Sequence, residues 1–129
     1  MVQVVQAHDD IIVEVEDEEE VRRYVPQFSE LMKIDCHGII LTAKGSGPYD
    51  FVSRFFVLRI GAHEDPVTGA AHCKLAHYWQ QKLNKQDFLA YQASSRGGEI
   101  RVSIVKDRVH LTGEAVTILE GKWQVPTVM

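Results

Sequence analysis

Apolar and polar positions alternate in two short runs near the start of the chain. Residues 2–6 read as one strand. In residues 11–15, Ile11, Val13 and Val15 fall on one side and Ile12 and Glu14 on the other, which gives a second strand. Residues 18–32 take a helical spacing, interrupted near Pro26, because proline breaks the intrahelical hydrogen-bond ladder. Residues 38–43 form an apolar run of strand length, and Gly45, Gly47 and Pro48 mark a turn after it. Residues 51–58, all but Ser53 and Arg54 apolar, make the strongest strand. A loop then leads to a helix over residues 69–83, with Thr68 as its expected N-cap. Ala70, Ala71, Cys73, Leu75, Ala76, Tyr78 and Trp79 nearly encircle its first turns, the pattern of a buried helix. The last third reads as strands at 88–92, 99–105, 108–112 and 115–120, with Lys106 and Asp107 turning a hairpin. Strands on both sides of one buried helix predict an α+β domain. Its curled, mixed or antiparallel sheet wraps around one central helix.

A length of 129 residues suits a single domain with its own core. Lys and Arg number 14 against 18 Asp and Glu, a formal charge of −4, and so no basic face for nucleic acid is expected. No apolar run is long enough to cross a bilayer, so no membrane partner is expected. The start lacks a basic-then-apolar signal, and the cytoplasm is the expected compartment. Two cysteines, Cys36 and Cys73, are too few for a disulfide framework. The acids at 14 and 16–20 precede and open a helix, where they favour its dipole.

Candidate chemistry concentrates in one loop. Glu64 and Asp65 sit just before a helix start, with Pro66 stiffening the turn and Gly69, Ala70 and Ala71 following. Small residues let a ligand approach the unpaired amides of a first helical turn, which suit a carboxylate or a developing enolate. Asp65 then stands where a carboxylate could take or relay a proton. Spacing alone favours a second reading, in which Glu64 and Asp65 only help end the strand and cap the helix.

At these residues the chain resembles a known family. Asp50-Phe51-Val52-Ser53-Arg54-Phe55-Phe56, Gly61, Glu64-Asp65-Pro66-Val67-Thr68-Gly69, Ala71-His72 and Tyr78-Trp79 closely resemble the signature of phenazine-biosynthesis PhzF-like proteins. Gln92-Ala93-Ser94-Ser95-Arg96-Gly97-Gly98-Glu99 and Val116-Thr117-Ile118-Leu119-Glu120-Gly121 resemble that family's closing strands. The resemblance implies the diaminopimelate epimerase-like fold: two similar domains with the active site between them. Its best-known member isomerises a dihydro-hydroxyanthranilate without metal or organic cofactor. By resemblance, no cofactor is expected, and proton transfer between carbons of a small carboxylated molecule is. Asp65 becomes the catalytic residue, with Thr68, Gly69, Ala70 and Arg96 binding substrate. Two positions depart from the family: Ala70 stands where serine is usual, removing a hydroxyl, and Leu58 where proline is frequent. The family's principal acid–base glutamate and a glycine–histidine pair belong to its first domain, which no segment here resembles. The chain therefore reads as the second half only, inactive alone. The alternative is a catalytically silent half-domain that serves binding or assembly.

Other candidates are weaker. His72 and His77 project about 140° apart on a helix, and with His63 and Cys73 they do not converge as a metal site needs, so no metal is expected. Cys36 and His37 are adjacent in an extended segment and point to opposite faces, against a nucleophilic dyad. Arg96 could pair with a substrate carboxylate or face solvent. Without a first domain, the apolar strands carrying Phe51, Phe55 and Phe56 are expected to leave a bare patch. A homodimer would cover it, near strand edges or the loop at 61–69.

Overall fold

The computed structural model describes residues 1–127 and is a mixed α+β structure. Strands β1 (Gln3–Ala7) and β2 (Asp10–Glu14) lead to helices α1 (Glu18–Arg23) and α2 (Phe28–Leu31). Strands β3 (Gly38–Lys44), β4 (Phe51–Val57) and β5 (His63–Asp65) precede helix α3 (Gly69–Leu83). Strands β6 (Asp87–Gln92), β7 (Gly98–Val105) and β8 (Arg108–Thr112) follow it. One eight-stranded sheet runs β1-β2-β3-β4-β6-β7-β8, with β5 paired to β4 alongside β6. The β2–β3 and β4–β6 pairs are parallel and the rest antiparallel.

Helix α3 starts and ends where its periodicity predicts. Ala71, Leu75, Ala76 and Trp79 share one core with Ile12, Ile40, Phe51, Phe55, Phe88 and Val102, drawn from five strands. Asn84 closes the helix in the left-handed region (φ 52°), which asparagine tolerates. Pro26 divides the predicted 18–32 helix into α1 and α2. Asp17 caps α1 by accepting from the Glu20 amide at 2.9 Å. The opposite sheet face packs Val21 of α1 on Leu41, Ala43, Val52 and Phe56.

Those two layers correct one expectation. Phe51, Phe55 and Phe56 are buried within the chain, because α3 covers one face of β4 and α1 the other. Two element assignments also change. His63–Asp65 is a strand paired with Phe55–Val57, invisible beforehand because three polar residues carry no apolar alternation. Residues 115–120 form no strand, although their composition suits one. A strand needs a neighbour for its amides and carbonyls, and the segment leaves β8 at the sheet edge with none.

The early acids have structural roles. Glu14 accepts from Lys82 and from the Tyr78 hydroxyl, and Glu18 bonds Arg22 and the Ser46 amide. No helix among the described residues is long and apolar enough to cross a membrane.

Candidate active site

The turn at 65–68 is held from three directions. Asp65 ends β5, whose place beside β4 is fixed by Phe55↔Asp65 pairing. Glu64, one residue earlier, makes a two-pronged ion pair with Arg54 at 2.8 and 2.9 Å. Glu64 is therefore a structural anchor, and the reading in which both acids merely end the strand holds for it.

Asp65 is differently placed. Its carboxylate accepts a short hydrogen bond from the Thr68 hydroxyl and remains half-buried. Thr68 occupies the N-cap position of α3, but its side chain makes no cap bond to the helix. The expected hydroxyl-to-amide cap is thus corrected: the nearer carboxylate is the stronger acceptor, and the hydroxyl donates to it. Thr68→Ala is still expected to cost about 1 kcal/mol, now through the lost bond to Asp65. Thr68→Ser should keep most of that stability. Urea unfolding checks both, and an unchanged midpoint for the alanine variant would count against the bond.

Gln92 is the residue that sequence reasoning passed over. It is fully buried at the end of β6. Its Oε1 accepts from the Thr68 amide at 2.7 Å, and its Nε2 donates to the Asp65 carbonyl at 2.9 Å and the Thr68 hydroxyl oxygen at 3.1 Å. One amide side chain thereby fixes both ends of the turn. The signal was present: Phe88, Ala90 and Gln92 share the inward register of β6, so a polar residue stands at a core position.

Ser94 extends the same clamp, donating to the Pro66 carbonyl at 2.8 Å and accepting from the Gly97 amide at 2.9 Å. Gly98 is required by the fit, since a Cβ there would lie 2.3 Å from Val67. Gly97 takes φ +75°, a conformation glycine adopts without strain. Arg96, just before Gly97, is exposed. It lines an open pocket of about 500 Å³ with Val67, Glu99, Arg101, Thr112 and Glu114.

Gly69 and Ala70 are exposed on the first turn of α3, where helical geometry leaves amides without intrahelical acceptors. The structure thus brings Asp65 and Thr68 into contact, sets Gly69 and Ala70 on the next turn, and places Arg96 on the loop tethered to that turn.

His72 lies beneath the site in the core. Its Nδ1 donates to the Thr68 carbonyl at 2.7 Å, its Nε2 has no partner, and burial pushes its pKa down. Cys36 is buried and burial raises its thiol pKa, while His37 bonds Asp10 at 2.9 Å, so the adjacent pair is no dyad. Asp9, Asp10 and His37 converge within 4.8 Å. The Lys74 ammonium already fills that acidic corner, 2.5 Å from Asp10 and 3.1 Å from Asp9, and holds the Asp9 carboxyl down at about 2.

Known proteins are similar to this chain in sequence and in fold. The model of the phenazine biosynthesis-like protein family matches residues 1–121. An uncharacterized isomerase of Halalkalibacterium halodurans is 51% identical over 114 residues, covering 88% of this chain and 43% of that protein. An uncharacterized isomerase of Pseudomonas aeruginosa is 45% identical over 121 residues, covering 94% of this chain and 46% of that protein. A phenazine biosynthesis PhzC/PhzF protein of Clostridium difficile superposes with a TM-score of 0.84 at 43% identity. That match covers 95% of this chain and 47% of the other. A PhzF-family protein of Enterococcus faecalis superposes with a TM-score of 0.79 at 37% identity, covering 90% and 47%. The chain spans about half the length of the relatives it matches.

Proposed function

The chain belongs to the phenazine biosynthesis-like protein family, and on that premise we propose that it supplies half of an isomerase site and has no turnover alone. The observation that carries the reading is the braced turn: a buried amide, Gln92, holds the Asp65 backbone carbonyl and Thr68, and the Thr68 hydroxyl holds the Asp65 carboxylate beside an open helix start. In this reading Asp65 carries or relays the proton. The amides of Gly69 and Ala70 hold a substrate oxygen as charge develops on it. Arg96 takes the carboxylate of a small carboxylated substrate, approaching from the pocket it lines. No cofactor enters the reading. We take α3 to be the central helix around which the sheet curls, because its apolar residues meet five strands.

The partner group for Asp65 comes from a second domain or a second chain. An acid or base facing Asp65 across the substrate lets one group remove a proton while the other returns one. The test uses two proteins, this chain and a chimera in which it replaces the matching half of a dihydro-hydroxyanthranilate isomerase. Each is incubated with that substrate in deuterium oxide. The chimera should incorporate solvent deuterium during isomerisation, and the chain alone should not. Turnover by the chain alone would refute the half-site, and a folded but inert chimera would refute the catalytic role of the turn.

A further inference from the structure

Every polar group of Thr68 is engaged. Its amide donates to Gln92 Oε1 at 2.7 Å, and its carbonyl accepts from His72 Nδ1 at 2.7 Å. Its hydroxyl donates to Asp65 Oδ2 and accepts from Gln92 Nε2 at 3.1 Å. Gln92 and His72 are both fully buried, so neither trades these bonds for water.

The sense of each bond follows from which groups donate and which accept. The Thr68 amide only donates, and the Asp65 carbonyl only accepts. Gln92 must therefore present its oxygen to the first and its nitrogen to the second, and its side chain cannot be turned end for end. Its remaining N–H meets the Thr68 hydroxyl oxygen. An amide nitrogen is no acceptor, so the hydroxyl hydrogen turns away from Gln92 and toward the carboxylate. Hydrogen bonds of one sense thus run from the core through Thr68 to Asp65.

That sense has a chemical consequence. The torsion that turns a free carboxylate is soft, and its two oxygens exchange places. Here Oδ2 is taken by the hydroxyl, while Oδ1 has no hydrogen-bond partner among the described residues. Glu64 differs, because Arg54 takes both of its oxygens. We propose that Gln92 is a positioning residue for the reaction: acting through the Thr68 hydroxyl, it commits Oδ2 of Asp65 to the protein and leaves Oδ1 as the one oxygen that exchanges a proton with substrate. This role of Gln92 rests on the reading above, in which Asp65 carries the proton. One proton passes between Oδ1 and a substrate carbon, and the electron pair of the bond it leaves stays on the atom it left. Holding a single oxygen toward the reacting atom removes an orientational cost from that step.

Two variants of the chimera, assayed with dihydro-hydroxyanthranilate in deuterium oxide, separate this role from a structural one. Thr68→Val keeps the shape of the side chain and both backbone bonds of Thr68, and deletes the hydroxyl. It should lower kcat by about tenfold or more while KM changes by less than about threefold. Gln92→Glu replaces the amide with a group that titrates. Burial keeps its carboxyl protonated above the ordinary carboxylate range. Once ionised it no longer donates to Thr68, and the hydroxyl turns from Asp65 toward the new charge. Its kcat should therefore fall by about tenfold or more along an alkaline limb that the parent chimera lacks. A merely structural Gln92 would lower the unfolding midpoint and leave the pH profile of kcat as in the parent. An active parent that is slowed by Asp65→Asn but not by Thr68→Val overturns the positioning role and leaves the reading standing. So does a Gln92→Glu variant with the parent's pH profile. If Gln92→Glu does not fold, Thr68→Val decides alone. An inert parent chimera refutes the reading and the positioning role together.

Discussion

Asp65→Asn in the chimeric isomerase is expected to lower the rate of deuterium incorporation by about 10²–10⁴, the usual contribution of a positioned acid–base group. The substitution is chosen because it separates chemistry from structure. An asparagine carbonyl oxygen can still accept from the Thr68 hydroxyl, and the Asp65 backbone carbonyl still accepts from Gln92. The turn therefore keeps its shape while losing a group that exchanges protons. The unfolding midpoint should move little, and KM should move less than kcat. A rate within threefold of the parent would mean that Asp65 only braces the turn, as Glu64 does. A collapse of stability together with rate would give the same residue a structural role.

That distinction between Glu64 and Asp65 could not be drawn from the sequence. Both acids precede a helix start, and spacing gave them the same two readings. What separates them is Arg54, ten positions upstream of Glu64 and paired with it across the β4–β5 ladder. A ladder between β4 and a strand of only His63, Glu64 and Asp65 leaves no periodic trace. Local signals did better where one residue decides the outcome. Pro26 broke the helix, Thr68 marked the start of α3, and Lys106 with Asp107 turned the hairpin. They failed where the outcome depended on a partner. The hydroxyl of Thr68 chose Asp65 over the helix, and the strand-like run at 115–120 found nothing to pair with. Gln92 was legible as a polar residue in an inward register, but its role required knowing which loop passes beneath it.

Arg54→Met is the second large effect, and it falls on stability. Arg54 sits in the middle of β4 with its side chain only 10% exposed, packed over the Phe56 ring. Its guanidinium serves four acceptors at once. Two are the Glu64 carboxylate oxygens, and two are the carbonyls of Val21 and Tyr24 at the end of α1, at 3.1 and 2.6 Å. Those carbonyls come where a helix runs out of its own donors. Methionine fills the space but leaves a half-buried carboxylate and two carbonyls without their donor. Removing one partner of a buried pair costs about 3–5 kcal/mol, a large part of the 5–15 kcal/mol that typically holds a domain. Lysine should not rescue it, since a single ammonium cannot reproduce a planar fork with two further donors. Adding Glu64→Leu to Arg54→Met should recover part of the loss, because the stranded charge is then gone. Urea unfolding at one fixed protein concentration measures all three variants. A loss below 1 kcal/mol for Arg54→Met would show that the ion pair contributes little. It would also remove the reason to regard β5, and so the position of Asp65, as braced from β4.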